Sequence, residues 1–188
     1  SLATPWATWR GNAQHTAATD DPLPARVRVL WSRDLPRPAP AWSDPRLDVD
    51  SAPHPIVAGG RLFLSSTRNG TVSALDAASG AELWRVYFNG PVRATPAAAA
   101  GRLYVGADDG TLYCLDAATG REIWRFFGGL SPRLALGNER LISLWPARGG
   151  PVVAADRVYF AAGVWPFMGV PVYALSAEDG AMLWANDR

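Results

Sequence analysis

A chain of 188 residues has room for a sizeable core in one domain, and 48% hydrophobic against 19% charged residues marks it as globular. A formal net charge of +1 makes no field that would gather nucleic acid, so no nucleic-acid partner is expected. No apolar run reaches the roughly 18 residues of a membrane helix, and Ser1 onward lacks a charged start and apolar core, so neither a membrane span nor a signal peptide is expected in this chain.

Along the chain, residues 1–26 read as an extended N-terminal segment, and residues 27–52 as one strand-like run, VRVLWSRDL at 27–35, followed by a linker. From residue 60 the sequence repeats itself, and that repeat decides the fold. Residues 60–85 read GRLFLSSTRNGTVSALDAASGAELWR and residues 101–125 read GRLYVGADDGTLYCLDAATGREIWR. Asp76 and Asp116, Gly80 and Gly120, Trp84 and Trp124 are each 40 residues apart. A third copy starts at Asp156 with DRVYFAAG and resumes at Pro171 with PVYALSAEDGAMLWA. It places Trp184 60 residues after Trp124, with 15 of the 20 extra residues ahead of the copy and five inside it.

Runs such as Leu103-Tyr104-Val105 and Leu112-Tyr113-Cys114-Leu115 are short, β-branched or aromatic, and bounded by glycine, which predicts strands. They are apolar on both alternating faces, as in a sheet covered on both sides. DAASG and DAATG are tight turns in which the Asp carboxylate accepts from amides further on and Gly takes positive φ. Ser176 stands in the Asp position of the third copy, so its turn should be weaker. Four strands in about 40 residues make a propeller blade. The fold class expected is therefore all-β: a partial β-propeller of four-stranded antiparallel blades at 53–93, 94–130 and 151–188, with an insertion loop at 131–150. The run at 27–35 resembles the outer, Trp-bearing strand of a blade without the three strands that precede it.

Trp84, Trp124 and Trp184 recur at one place in every unit, which points to wedges between blades. Asp76 and Asp116 belong to the turns, and residues 108–110 (Asp-Asp-Gly) read as a polar hairpin. Recognition is expected where the repeat is broken. The first insert holds Arg133, Asn138, Glu139, Arg140, Trp145 and Arg148; the second adds Trp165, Phe167 and Met168 beside Gly163 and Gly169. With Arg93, which precedes the first strand of the second blade, these form the candidate ligand or partner site. The competing reading is that the two inserts fold over one another as a small extra core, and that Arg93 pairs with an acidic neighbour. No nucleophile–base pair, metal-ligand spacing around His15, His54 and Cys114, or Gly-rich phosphate loop is present, so no catalytic residue, metal or cofactor is expected.

The pattern G-R-L-Y-V-G-x-D-D-G-x-L-Y-x-L-D-A-x-T-G-x-x-x-W resembles the pyrroloquinoline quinone (PQQ)-like β-propeller repeat family, over roughly residues 27–184. That family includes quinoprotein dehydrogenases and non-catalytic relatives such as an outer-membrane assembly lipoprotein. Residues 137–153 and 161–175 resemble the N-terminal part of bacterial, planctomycete-type PQQ-binding-like propeller proteins, and the opening WATWRGN at 6–12 resembles exported members, which implies an extracytoplasmic location. In the family an N-terminal strand completes the last blade, and rings take about four to eight blades. Three blades therefore imply a fragment of a larger propeller, or self-association through open blade faces. The function the resemblance implies is a non-catalytic binding or scaffold module with a protein, peptide or glycan ligand at the loop face. One alternative is part of a PQQ-dependent dehydrogenase, with PQQ and calcium on the propeller axis; the other is a regulatory propeller attached to an enzyme domain. Catalytic members of one branch place two adjacent cysteines over the cofactor, where this chain has Cys114 alone.

Overall fold

The computed structural model describes residues 5–22, 24–40, 54–137 and 140–187. The short apolar runs pair with their sequence neighbours. Strands β1 (Ile56–Ala58), β2 (Arg61–Ser66), β3 (Thr71–Asp76) and β4 (Glu82–Tyr87) make the first antiparallel blade, and β5 (Ala97–Ala99), β6 (Arg102–Gly106), β7 (Thr111–Asp116) and β8 (Glu122–Phe127) the second. A two-stranded hairpin, β9 (Leu134–Gly137) and β10 (Arg140–Ser143), comes before the third blade of β11 (Val152–Ala154), β12 (Arg157–Ala161), β13 (Val172–Ser176) and β14 (Met182–Asn186). Within each blade the strands lie in sequence order, so the fold is a partial β-propeller of four-stranded meanders.

The turn from third to fourth strand is built by side chains. Asp76 accepts from the Ala78 and Ser79 amides at 3.2 and 2.8 Å and from the Ser79 hydroxyl at 2.7 Å. Asp116 repeats this with Ala118 and Thr119 at 3.0, 2.8 and 2.8 Å. These donors, the hydroxyl first, hold both carboxyls below the usual carboxylate range. In the third blade the Glu178 and Asp179 amides reach Ser176 Oγ at 3.3 and 3.5 Å, longer than their counterparts. Asp179 offsets part of that loss: its carboxylate takes a bond from the Ser176 hydroxyl and accepts from the Ala181 amide at 3.1 Å. Acid and hydroxyl have exchanged places in this turn.

Each blade has a bulge at the same point, where Leu83, Ile123 and Leu183 are the extra residues opposite β3, β7 and β13. Immediately after the bulge the tryptophan leaves for the next blade. The Trp84 indole N–H donates to the Ala117 carbonyl at 3.2 Å, and that of Trp124 to the Ala177 carbonyl at 3.4 Å. Each ring lies on the turn glycine of the next blade: a Cβ on Gly120 would sit 2.8 Å from Trp84, and one on Gly180 2.7 Å from Trp124. Two apolar cores fill the junctions. One joins Ile56, Phe63 and Val72 of the first blade to Leu103, Val105 and Leu115 of the second; the other joins Tyr104, Leu112 and Cys114 to Val158, Phe160 and Leu175.

Residues 27–35, expected as an orphan blade-closing strand, run as an extended arm that forms no ladder with any described strand. Its tryptophan is placed as in the repeat. Trp31 donates to the Ala77 carbonyl at 3.1 Å and lies on Gly80, where a Cβ would meet the ring at 2.6 Å. An Arg33–Glu82 pair at 2.8 Å and a bond from the Ala39 amide to Thr67 Oγ1 at 2.8 Å fasten the rest of the arm. Trp184, at the other end, meets no such seat among the described residues and is 43% exposed. Ahead of the arm, the carbonyls of Trp6 and Ala7 accept from the Val57 and Ala98 amides at 2.8 and 2.7 Å, equivalent positions on the innermost strands β1 and β5.

Candidate functional site

The first insert does not remain a loop. Alternation in Leu-Ala-Leu-Gly and Arg-Leu-Ile-Ser gives the β9–β10 hairpin, with Leu136 opposite Leu141 and Leu134 opposite Ser143. Leu134, Leu136 and Leu141 thus share one face, and all three are exposed. Below the hairpin Trp145 turns inward, joins the core of the second and third blades, and donates its indole N–H to the Met168 carbonyl at 3.0 Å. The Gly163 amide donates to the Pro146 carbonyl at 2.9 Å. The two inserts are interlocked, and Trp145 serves as their packing centre.

Arg93 and Arg148 converge on one buried carboxylate. Arg93 Nε lies 2.7 Å from Asp108 Oδ2, while Arg148 Nε and Nη2 lie 2.8 and 3.0 Å from Oδ1 and Oδ2. The side chains are only 5%, 11% and 1% exposed for Arg93, Arg148 and Asp108. Each arginine stands three residues before the proline that opens an innermost strand, Pro96 and Pro151, so successive blades deliver equivalent arginines to one acid. The Arg93 guanidinium also donates to the Ala39 carbonyl at 2.8 Å, and the Asp108 carbonyl accepts from Ser143 at 2.8 Å. Asp108 therefore ties together the arm, the second blade, the hairpin and the entrance to the third blade. Residues 108–110 form the hairpin turn between β6 and β7 as expected, with the Asp108 side chain buried in the tie and that of Asp109 serving the turn. The Asp109 carboxylate accepts from the Thr111 amide at 3.0 Å and from the Tyr113 hydroxyl. Burial, with Asp109 beside it, pushes the Tyr113 phenol up.

Arg133 and Arg140 are exposed, and the Arg140 guanidinium donates to the Arg68 carbonyl. Asn138 and Glu139 lie outside the described residues. Trp165 precedes and Phe167 lies within a 3-10 turn, Pro166–Met168, and the two rings stack on each other at 6.0 Å with 30° between planes. Phe167 is 83% exposed. The candidate residues are thus sorted into a buried ionic tie (Arg93, Arg148), a packing centre (Trp145) and an exposed aromatic pair. None of these described residues lines the cavity beside the arm.

A cavity of about 460 Å³ lies elsewhere, between arm residues 33–38 and the first blade, over Leu64, Ser73 and Leu75. Tyr113 and Tyr173 occupy the corresponding position of the second and third blades, where each packs against the preceding blade. Cys114 is buried, and desolvation pushes its thiol up to about 11, which removes it as a nucleophile at neutral pH. Among the described residues no three His, Cys, Asp or Glu side chains come together. No described helix is long and apolar enough to cross a membrane.

Repeated blades, Asp-to-Gly turns and tryptophans seated on the next turn define a PQQ-like propeller module. The chain belongs to the family described as outer membrane protein assembly factor BamB, which matches residues 24–186. It is similar in structure to the quinohemoprotein alcohol dehydrogenase of Comamonas testosteroni, with 23% identity and a TM-score of 0.73, over 99% of this chain and 27% of that one. The quinohemoprotein alcohol dehydrogenase ADHIIG of Pseudomonas putida HK5 is 26% identical with a TM-score of 0.61, over 74% of this chain and 21% of that one. The computationally designed Ika8 protein is 16% identical with a TM-score of 0.55, over 71% of this chain and 35% of that one. The chain thus spans about a quarter of the length of these dehydrogenases. No curated protein matches it in sequence.

Proposed function

We propose that this chain is a non-catalytic module of a larger extracytoplasmic propeller, and that it binds a protein partner through the face carrying its two inserts. One contrast carries the reading. Arg93 and Arg148 are spent on Asp108 and Arg140 on a carbonyl, while Phe167, Leu134, Leu136 and Leu141 are exposed. Exposed aromatics on a braced scaffold are the usual anchors of a protein interface. A glycan site would set uncommitted polar side chains beside the rings to take sugar hydroxyls. The family's description as an assembly factor also favours a protein partner and an extracytoplasmic setting.

The dehydrogenase reading would require PQQ and calcium, and two features favour the non-catalytic reading over it. The buried carboxylate at the entrance to the inner strands, Asp108, has both oxygens held by guanidinium groups. Cys114 lies in the junction between blades, where its thiol is kept protonated.

A displayed peptide library panned on the wild-type chain and on a Trp165→Ala/Phe167→Ala variant tests the proposal. Enriched peptides that the wild type retains and the double variant releases support it. Peptides retained equally by both, or no enrichment at all, refute it.

A further inference from the structure

We infer that β9 of the insert hairpin is a docking edge for an extended segment of a protein partner, which adds to it as a third strand with apolar and acidic residues in alternation. The inference rests on the protein-partner reading above and names how that partner is held.

The hydrogen-bond register of the hairpin identifies the open edge. The Ser143 amide donates to the Asp108 carbonyl at 2.8 Å, so it points away from β9, and Ser143 with Leu134 is a pair that exchanges no bonds across the ladder. One residue on, the Leu144 amide donates to the Arg133 carbonyl at 3.1 Å, as the alternation requires. Leu136 with Leu141 repeats the arrangement of Leu134 with Ser143 two residues along. Leu134 and Leu136 therefore direct their N–H and C=O groups outward from β9. None of these four groups has a hydrogen-bond partner among the described residues, and the two residues are 58% and 76% exposed. Donors and acceptors alternating along an extended backbone specify another extended backbone as their partner.

β10 faces the other way. Ser143 ties it to the second blade, and the Arg140 guanidinium donates to the Arg68 carbonyl of the first. The hairpin is a sheet of its own, inserted between the second and third blades and fastened to the first and second. A further blade of a ring would stack on the sheet of the third blade, so the edge of β9 belongs to no face that the ring would cover. The strand also lacks the devices that keep an edge from pairing. Leu134–Gly137 has no charge, proline or bulge, whereas β4 and β8, the outer edges of the first two blades, carry the Arg85–Glu82 and Arg125–Glu122 pairs.

The two faces of the hairpin set the chemistry of the added strand. Leu134, Leu136 and Leu141 lie on one face, and Arg133, Ala135 and Arg140 on the other. Arg133 is exposed and has no ion pair among the described residues. An incoming strand places apolar side chains beside the leucines and a carboxylate beside Arg133, and successive residues of a strand alternate between those faces.

Amide hydrogen exchange followed by NMR tests the edge on the whole chain, with peptides enriched by panning on the wild type as probes. Their sequences should alternate apolar and acidic residues. The Leu134 and Leu136 amides should exchange fast in the free chain and slow by about tenfold or more when such a peptide is bound. Amides already protected in the free chain mean that another segment or a second copy occupies the edge, which overturns the inference. Methylating one peptide nitrogen that faces β9 should weaken binding by about fivefold or more, while methylating a nitrogen that faces away should leave it nearly unchanged. Leu136→Pro removes one outward donor and keeps the ladder bonds of the hairpin, and should weaken binding as the first methylation does. Equal effects of the two methylations, or bound peptide without new protection at Leu134 and Leu136, overturn strand addition. If that peptide is still released by Trp165→Ala/Phe167→Ala, the protein-partner reading survives. A library that yields no enriched peptide overturns both.

Discussion

Trp124→Ala is the sharpest perturbation of the scaffold. The indole is 9% exposed, lies on Gly180 of the third blade, packs beside Tyr104 and belongs to the core shared by the second and third blades. Its N–H bond to the Ala177 carbonyl is 3.4 Å long, and that carbonyl keeps the Tyr104 hydroxyl at 3.0 Å and Arg102 Nη1 at 2.7 Å when the indole is removed. No orphan acceptor is left, so the polar part of the loss is well under the usual ~1 kcal/mol of a hydrogen bond. Lost burial and a cavity that neighbouring backbone cannot close dominate, at about 3–5 kcal/mol for a buried tryptophan. Trp184→Ala removes the same side chain at the same place in the repeat, but from a ring that is 43% exposed, and should cost under about 1 kcal/mol. Urea unfolding followed by far-ultraviolet circular dichroism gives both values. Tryptophan fluorescence is a poor probe in a chain with nine tryptophans. Equal costs for the two variants would refute the wedge account.

Asp108→Ala leaves two buried guanidinium groups without their shared carboxylate and should destabilise the fold by about 3–5 kcal/mol in the same assay. Replacing all three members with Arg93→Met, Asp108→Leu and Arg148→Met should cost less than Asp108→Ala alone, and the reverse order would show that the tie is not a desolvated ion cluster. Asp76 and Asp116 should titrate below the usual carboxylate range by carbonyl-detected NMR. Because their folded pKa values are lowered, their contribution is present above the ordinary carboxylate range and is lost as pH falls through the folded values. Thr119→Ala should move Asp116 up towards the ordinary value, and an unmoved midpoint would rule out the hydroxyl as the leading cause. Cys114 should be silent to Ellman's reagent in the native chain and react fully in urea; fast native labelling would contradict its burial.

The blades were legible because the repeat states them three times, with turn chemistry and tryptophan position in each copy. Other features come from contacts between segments far apart in sequence. Asp108 sits in a stretch that reads as a hairpin, and its two arginines arrive from 15 residues before and 40 after. A local signal for them existed, since both stand three residues before a strand-opening proline. The pairing of 134–137 with 140–143 is also legible in the alternation of those segments, inside an insert that otherwise departs from the repeat. The arm at 27–35 carries a strand's sequence without a strand's partners, and its tryptophan is placed by a socket rather than by a ladder. For the candidate residues, sequence identified the segments and left open which side chains are internal. Only packing separates Trp145, which is buried, from Trp165 and Phe167, which are exposed.

Asp-capped turns, inter-blade tryptophans and the Asp108 tie all serve to hold the blades in register, and the inserts are the departure from that pattern. Calorimetric titration of the chain with PQQ in the presence of calcium tests the non-catalytic account most directly. The account predicts no saturable heat and no change in quinone absorbance. Saturable binding in the micromolar range would contradict it.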